Sequence, residues 1–465
     1  MSEKEPNLFV IVADSLRADS IPEEIQEISE SLEGVNFKNA FSTANATIDS
    51  MPSLTYGVYS DKMGRTNPEL TSLAEYLEDE GYDSSLWTDN RVMNSSKGLN
   101  KGFSGGENKK MYRHKVQELV QVFNSNFLFQ SAQSVYFQII KPFLSNFGQN
   151  YHYKPAGKLY QRVLESLGDS DRPQFHLIHC MDTHYPYEPP QEYIDKYEFN
   201  TSSDRDKISH LTSKVMITSG KESLTQRDVD DCRQAYEASV DYWAEETRKF
   251  LSKLMDRGHF NPEKDILVIT SDHGECFDLE KNMLGHTPSP AYWEELIHVP
   301  LVVSSPDWGY KEVSGQVSHI DLVPTVLEMM DKSVPDTFQG DSASSPEGMA
   351  RENVFLTSLG PEKVFRGVRT DKGSKMFSDR TRNESNKFIS GSGTERVYLL
   401  ETKVEDGSEK IVNRFRFSEN YKTDLNNDFL LDIMEREHDG LVESSESRTE
   451  DVKQQLRELG YHDEI

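Results

Sequence analysis

Short apolar runs alternate with helical segments through the first two-thirds of the 465-residue chain. Several of the helical segments end in glycine, which is a helix stop signal. This alternation is typical of βαβ units, and it predicts an α/β fold with a doubly wound, mostly parallel sheet and helices on both faces. The runs that we predict to be strands are Leu8–Ala13, Ser84–Thr88, Gln174–His179, Ile266–Ile269 and Val299–Ser304.

The pattern changes at two places along the chain. Residues 105–160 contain an aromatic, apolar helical stretch, which we interpret as a helical insertion packed on the main domain. Binding of this stretch to a membrane surface or a partner is the alternative. After residue 360, short strand-like runs stand between polar turns, and a helix is predicted over residues 451–459. We therefore predict a main α/β domain over 1–360 and a small C-terminal antiparallel α+β subdomain over 361–465.

Composition limits the classes of function. The formal net charge is −28, and nucleic-acid binding needs a basic surface, so we expect no nucleic-acid partner. An anionic substrate would need a locally positive site, such as one with a metal ion. The chain has three widely spaced cysteines, no signal-peptide pattern and no long apolar window. We expect a cytoplasmic protein without a transmembrane span.

Two predicted strands lead into side chains that bind metals or protons. Asp14 ends the first strand, and Asp272 and His273 follow the strand that begins at Ile266. In open α/β sheets, ligands bind outside the carboxyl ends of the strands. Carboxylates and an imidazole that converge there would hold a divalent cation. The alternative is a pair of capping aspartates and a structural histidine in a turn.

Ser50 is the candidate nucleophile. Pro52 and Ser53 are typical of a helix start, so we predict a helix over Ser53–Val58. A hydroxyl just before such a start would face unpaired N–H groups and the positive end of the helix dipole, which favour an anion. Coordination to a metal would activate Ser50. The alternative is an ordinary serine-rich turn.

Two histidines are candidates for proton transfer. His184 follows a predicted strand and precedes a proline-rich loop, so we expect it to reach over the site as a general acid. His286 follows the Asp272 strand by a short loop and offers a further imidazole. We interpret His176 and His179 as structural, because they lie within or at the end of the strand itself.

Taken in order, these segments resemble the sulfatase family of the alkaline phosphatase superfamily. The matching segments are the strand ending at Asp14, Ser50-Met-Pro-Ser, residues 181–190 (MDTHYPYEPP), residues 271–275 (SDHGE), Gly285-His286 and residues 298–303 (HVPLVV). The resemblance covers most of the chain. It implies a doubly wound core with a small C-terminal antiparallel sheet.

The resemblance also implies roles for individual residues. Asp14, Ser50, Asp272 and His273 would hold one divalent metal ion, with Ca²⁺, Mn²⁺, Mg²⁺ and Zn²⁺ all open. Ser50 would be the nucleophile. His184 and His286 would hold the oxyanion of the substrate or protonate the leaving oxygen.

Three positions depart from the usual sulfatase pattern. Leu54 replaces the arginine of the Cys/Ser-x-Pro-Ser-Arg motif, which argues against conversion of Ser50 to formylglycine. Ser15 replaces a second aspartate on the first strand, and His273 replaces an asparagine. An imidazole shifts the metal preference from Ca²⁺ towards Mn²⁺ or Zn²⁺. The Asp272-His273 pair also resembles phosphonate monoester and phosphodiester hydrolases of the superfamily.

The predicted function is metal-dependent hydrolysis of a sulfate ester. Hydrolysis of a phosphodiester or phosphonate monoester by an unmodified serine is an alternative, and transfer to an acceptor other than water is another. A different class is a non-catalytic sulfatase-like binding or scaffold protein. The expected partner is a small-molecule, glycan-linked or lipid-linked ester, and the oligomeric state is left open.

Overall fold

A computed structural model of the chain describes residues 5–60, 70–93, 98–106, 152–168, 170–214, 224–279, 283–286, 292–359, 363–371, 375–381, 396–405 and 408–417. Most of the predicted insertion over 105–160 lies outside these residues, and so does the predicted helix over 451–459.

The main sheet has eight strands in the order β10-β2-β9-β6-β1-β5-β3-β4. Strand β9 runs antiparallel to its neighbours β2 and β6, and the other neighbouring pairs are parallel. The prediction of a mostly parallel sheet is confirmed. The strands are β1 (Leu8–Ala13), β2 (Val35–Phe41), β3 (Asp83–Thr88), β4 (Gly105–Gly106), β5 (Gln174–Cys180), β6 (Ile266–Ser271), β7 (Cys276–Asp278), β8 (Met283–Gly285), β9 (His298–Ser304), β10 (Lys311–Ser318), β11 (Asn353–Leu359), β12 (Lys363–Thr370), β13 (Lys375–Thr381), β14 (Arg396–Glu405) and β15 (Ser408–Phe417).

Helices connect the strands and cover the sheet. Two of them begin with a capping box. The hydroxyl of Ser72 or Thr225 accepts the backbone N–H of the acidic residue three positions later, and the carboxylate of that residue accepts the backbone N–H of the cap. The α-helices are α1 (Glu23–Ser31), α2 (Thr47–Tyr56), α3 (Leu73–Asp79), α4 (Ala156–Ser166), α5 (Gln191–Ile194), α6 (Arg205–Ser213), α7 (Gln226–Asp256), α8 (Glu294–Ile297) and α9 (Leu322–Met329).

Strand β1 shows that both faces of the sheet are buried. Leu8, Val10 and Val12 face the core formed with α2, α3 and α9, whereas Phe9 and Ile11 face the core formed with α1, α4 and α7. All six residues of β1 are buried. A strand that is apolar on both faces belongs to the middle of a two-sided sheet, which explains the uninterrupted apolar runs in the sequence.

The C-terminal part forms a second sheet of five antiparallel strands, β11 to β15. This agrees with the predicted antiparallel subdomain, although the sheet begins at Asn353, before the predicted boundary at 361. Among the helices of the described segments, none combines the length and the apolar character that a membrane crossing needs.

The register of the central strands brings three loops to one edge. Ala13 lies opposite Cys180 of β5 and Ser271 of β6, and all three strands run in the same direction. The residues that follow β1 and β6, and the last residues of β5, are therefore neighbours.

Candidate active site

Asp14, Asp272 and His273 lie together at this edge, as the strand ends predict. The imidazole Nε2 of His273 is 3.8 Å from Asp14 Oδ1 and 3.5 Å from Asp272 Oδ2, and all three side chains are fully buried. His273 Nδ1 donates to the Gly274 carbonyl at 2.8 Å, which directs the lone pair of Nε2 towards the carboxylates. This is the arrangement of a metal-binding histidine.

The hydroxyl next to Asp14 and His273 belongs to Thr47, whereas the sequence predicted Ser50 at this place. Thr47 Oγ1 is 3.3 Å from His273 Nε2 and 3.4 Å from Asp14 Oδ2. Ser50 Oγ donates instead to the Thr47 carbonyl at 3.4 Å. Helix α2 starts at Thr47, and Pro52 lies inside the helix instead of opening it. Thr47 therefore occupies the positive end of the helix dipole, the position that we expected for Ser50.

His179 is a member of this group that the sequence interpretation missed. Its Nε2 lies 3.5 Å from Asp14 Oδ2 and 3.7 Å from Asp272 Oδ2. The ligand atoms of Asp14, His179 and Asp272 all lie within 4.8 Å of one another. The sequence of β5 contains a hint of this position. Side chains alternate between the two faces of a strand, so His179 lies on the same face as Phe175 and Leu177, which is the face that α2 covers.

Three further polar residues hold the aspartates in place. Ser15 has φ of 67°, and its N–H donates to Asp272 Oδ1 at 3.1 Å. A positive φ is strained for serine, and such strain is often concentrated at functional sites. Asn90 Nδ2 donates to Asp14 Oδ2 at 2.8 Å, and the Thr183 hydroxyl donates to the Asp14 carbonyl.

His184 and His286, which we predicted to transfer protons, lie next to His273. The ring of His286 is 4.2 Å from that of His273 and 5.1 Å from that of His184, centroid to centroid. His184 Nδ1 donates to the Tyr185 carbonyl, so its Nε2 is the nitrogen left for other partners.

Glu275 stands behind His286 and was not singled out from the sequence. Its Oε1 is 3.5 Å from His286 Nδ1, and the Tyr187 hydroxyl donates to Oε2 at 3.0 Å. The carboxylate is fully buried. Glu275 Oε1 makes no hydrogen bond among the described residues, so the carboxylate acts on His286 Nδ1 through its charge, and the Ser15 hydroxyl lies 3.4 Å from the same nitrogen.

The electrostatic environment separates the roles of these groups. Burial raises the pKa of Asp272, but His273 and His179 outweigh burial and hold that pKa well below its usual range. Burial, together with the charges of His273 and His184, lowers the pKa of His286 well below its usual value, which favours the neutral imidazole. Burial raises the pKa of Glu275 to about 7.

The donor atoms suit a divalent cation. Asp272 Oδ2 and His179 Nε2 are buried and make no hydrogen bond among the described residues. Buried polar atoms are nearly always paired, so two such atoms side by side need a common partner. Asp14, His179 and Asp272 could hold a metal ion together, and His273 Nε2 lies within 4 Å of both carboxylates.

Comparison with known proteins agrees with this geometry. The sulfatase family model matches residues 6–332. The uncharacterized sulfatase YidJ of Escherichia coli K12 is 23% identical over 197 residues, and the match spans 41% of this chain and 38% of the length of YidJ.

Solved structures show the same fold at low identity. A phosphonate monoester hydrolase of Agrobacterium radiobacter has a TM-score of 0.55 at 15% identity, covering 81% of this chain and 87% of that chain. An alkaline phosphatase superfamily protein from Vibrio parahaemolyticus has a TM-score of 0.57 at 14% identity, with 98% and 89% covered. A protein solved with its substrate D-glucosamine-2-N,6-O-disulfate has a TM-score of 0.58 at 12% identity, with 99% of both chains covered.

The family model spans well over half of the chain, and the fold with its eight-stranded sheet is similar to that of these solved structures. The chain therefore belongs to the sulfatase family.

Proposed function

We propose that this protein is a metal-dependent hydrolase of phosphoric or sulfuric acid esters in which the Thr47 hydroxyl is the nucleophile. One observation carries the proposal. Thr47 Oγ1 lies at the start of α2, 3.3 Å from His273 Nε2 and 3.4 Å from Asp14 Oδ2. A hydroxyl at a helix N-terminus, among the residues that would hold a cation, is placed to attack an anionic ester.

Asp14, Asp272 and His273 would hold the metal, with Thr47 at its open side. When bound there, a divalent cation polarises a nonbridging oxygen of the ester and lowers the pKa of the hydroxyl. The protein supplies the orientation: Asn90 and Ser15 fix the two carboxylates, and the Gly274 carbonyl fixes the His273 tautomer.

The reaction proceeds in two displacements. In the first, Thr47 Oγ1, after losing its hydroxyl proton to solvent, forms a bond to phosphorus or sulfur, the bond to the leaving oxygen breaks, and His184 donates a proton to that oxygen. In the second, water attacks the same atom, the bond to Thr47 breaks, and neutral His286 accepts the proton of the water. Glu275 keeps Nδ1 of His286 protonated and Nε2 available as the base.

The charge of the site favours a substrate with one negative charge. Asp14 and Asp272 together balance a divalent cation, so this buried site has little positive charge left over. Phosphodiesters, phosphonate monoesters and sulfate esters each carry one negative charge, whereas phosphate monoesters carry close to two. Moving the second negative charge of a phosphate monoester out of water would cost free energy that this nearly neutral site does not offset.

A threonine nucleophile favours phosphorus over sulfur. Formylglycine arises from cysteine or serine, and its hydrate can expel sulfate by elimination. A threonine ester has no such route and must be released by a second displacement. We therefore place phosphodiesters and phosphonate monoesters first and sulfate esters, which the family match supports, second.

Two tyrosines flank His184, and we infer that the organic part of the substrate contacts their rings. The ring of Tyr153 is 5.5 Å from that of His184 in an edge-to-face arrangement, and the ring of Tyr185 is 4.4 Å away. Half-buried aromatic rings bind apolar groups and the faces of sugars. An aryl, lipid or glycosyl substituent fits this description.

A panel of 4-nitrophenyl esters tests the proposal with the Mn²⁺-loaded protein. We expect kcat/KM to be highest for the phenylphosphonate monoester or the bis(4-nitrophenyl) phosphate, lower for the sulfate, and lower still for the phosphate monoester. The Asp272→Ala variant should be inactive. Full activity in Asp272→Ala would contradict the metal-dependent site, and no turnover of any ester by the loaded protein would favour a non-catalytic binding protein.

A further inference from the structure

We propose that His179 is an additional ligand of the metal ion, which makes the site one of two carboxylates and two imidazoles and selects a transition metal such as Mn²⁺ or Zn²⁺ over Ca²⁺. This inference rests on the metal dependence in the proposed function. The sulfatase resemblance implied Asp14, Asp272 and His273 as ligands together with Ser50, and it did not include His179, whose ligand atom lies with those of Asp14 and Asp272.

The ring of His179 is oriented for coordination. Its Nδ1 lies 3.3 Å from the Thr88 hydroxyl oxygen, which also accepts the N–H of Asn90 at 2.9 Å. The opposite nitrogen, Nε2, is fully buried and makes no hydrogen bond among the described residues. A metal-binding histidine commonly has this pattern, with one nitrogen fixed by a protein oxygen and the other aimed at the ion.

The two imidazoles approach the same carboxylates from different sides. His179 Nε2 is nearest to Oδ2 of Asp14, at 3.5 Å, whereas His273 Nε2 is nearest to Oδ1 of Asp14, at 3.8 Å. Both nitrogens also face Oδ2 of Asp272, at 3.7 and 3.5 Å. Donor atoms that share a metal ion are separated by roughly 3 to 4 Å, because each lies about 2.1 Å from the ion.

These separations are less suited to a direct ion pair. A charge-assisted N–H···O bond is about 2.7 to 2.9 Å long. The His179 nitrogen is 3.5 Å or more from both carboxylates. Strand β5 holds the ring there, since His179 pairs with Val12 on one side and with Thr88 on the other. A rigid central strand cannot be drawn closer without disturbing the sheet.

The second imidazole determines which metal the site prefers. Ca²⁺ takes oxygen ligands almost exclusively, whereas imidazole suits zinc and other first-row transition metals. One histidine already shifts the preference towards these metals, and a second would make two of the five donors nitrogen, beside the two carboxylates and the Thr47 hydroxyl.

The first test counts imidazoles in the unaltered protein. Pulsed electron paramagnetic resonance of the Mn²⁺-loaded protein resolves the coupling to ligand nitrogen. We expect two coordinated imidazoles in the natural sequence and one in His179→Gln. A single imidazole in the natural sequence overturns the proposal, whether or not the variant folds.

Affinity supplies the second readout. By competition with a chelating dye, His179→Gln should weaken Mn²⁺ and Zn²⁺ binding by about 100-fold or more, since even the loss of an indirect partner costs roughly 10- to 100-fold. Ca²⁺ binding should change much less. His176→Gln is the matched control, because His176 is a buried histidine on the opposite face of the same strand, stacked on Phe9. Equal Mn²⁺ affinity in the two variants contradicts the proposal.

The metal experiments also separate this inference from the proposed function. Two coordinated imidazoles without turnover of any ester would support the His179 assignment and reject the hydrolase. Ester turnover with one coordinated imidazole would do the opposite.

Discussion

Thr47 and His273 face each other across the carboxyl edge of the main sheet, with 3.3 Å between the threonine Oγ1 and the imidazole Nε2. The contact joins the first residue of α2 to the loop after β6. It brings a hydroxyl, an imidazole and the positive end of a helix dipole close together. The proposed role of Thr47 as nucleophile depends on this contact.

Glu275 should matter for rate more than for substrate affinity. Because its carboxylate lies 3.5 Å from His286 Nδ1, Glu275→Gln should lower kcat by about 10- to 100-fold with a smaller change in KM. Steady-state kinetics on the best ester of the panel measures both constants. Tyr187→Phe, which removes only the hydroxyl bonded to Oε2, is the control and should reduce kcat by less. A Glu275→Gln enzyme at the natural rate would show that His286 needs no such partner.

Gly274 should tolerate no side chain. A Cβ at this position would lie 2.1 Å from the Glu295 carbonyl oxygen, which belongs to helix α8 and cannot move independently. We expect Gly274→Ala to lower the free energy of unfolding by about 2 to 4 kcal/mol. Gly168→Ala is the matched control, because nothing lies within 4 Å of a Cβ there, and its effect should stay within about 0.5 kcal/mol. Denaturant titrations of both variants give the comparison, and equal stabilities would be inconsistent with the clash.

His176 should make the fold sensitive to acid. Burial lowers its pKa from 6.5 to about 4, while the unfolded chain binds the proton near pH 6.5. The unfolded state therefore holds more protons between these two values, and stability falls as the pH drops through that window, by about 3 kcal/mol in total. Denaturant titrations from pH 7.5 to 4.5 measure the slope. The slope should be shallower in His176→Gln, and an unchanged slope would mean that His176 does not contribute.

The strand ends could be predicted from the sequence because uninterrupted apolar runs mark central parallel strands. Leu8–Ala13 is β1 in the structure, and the run after Asp265 leads into Asp272 and His273 as expected. The carboxyl ends of parallel strands meet at one edge, so these residues could be placed together without further information.

The residue at which α2 begins could not be predicted from the sequence in the same way. Proline is common at a helix start, so Pro52 suggested that the helix opens near Ser53. The helix instead begins at Thr47, with Ala46 as the residue before it, and Pro52 lies in its interior. Which hydroxyl lies at the start of the helix depends on that first residue, and the position of Pro52 suggested Ser50 instead of Thr47.

His179 and Glu275 needed three-dimensional information for a different reason. Both are fully buried polar residues, and burial in a strand or turn is equally consistent with a structural role. Only the distances to Asp14, Asp272 and His286 distinguish the two interpretations.

In the proposed reaction Thr47, and not Ser50, is the nucleophile. The most direct measurement compares the single-turnover rates of Thr47→Ala, Thr47→Ser and Ser50→Ala on the best ester, with metal content determined for each variant. We expect Thr47→Ala to lose about 1,000-fold or more, in line with the loss of a covalent nucleophile. Thr47→Ser should retain measurable activity, and Ser50→Ala should stay within about tenfold of the natural rate. Full activity in Thr47→Ala together with an inactive, metal-replete Ser50→Ala would contradict the account.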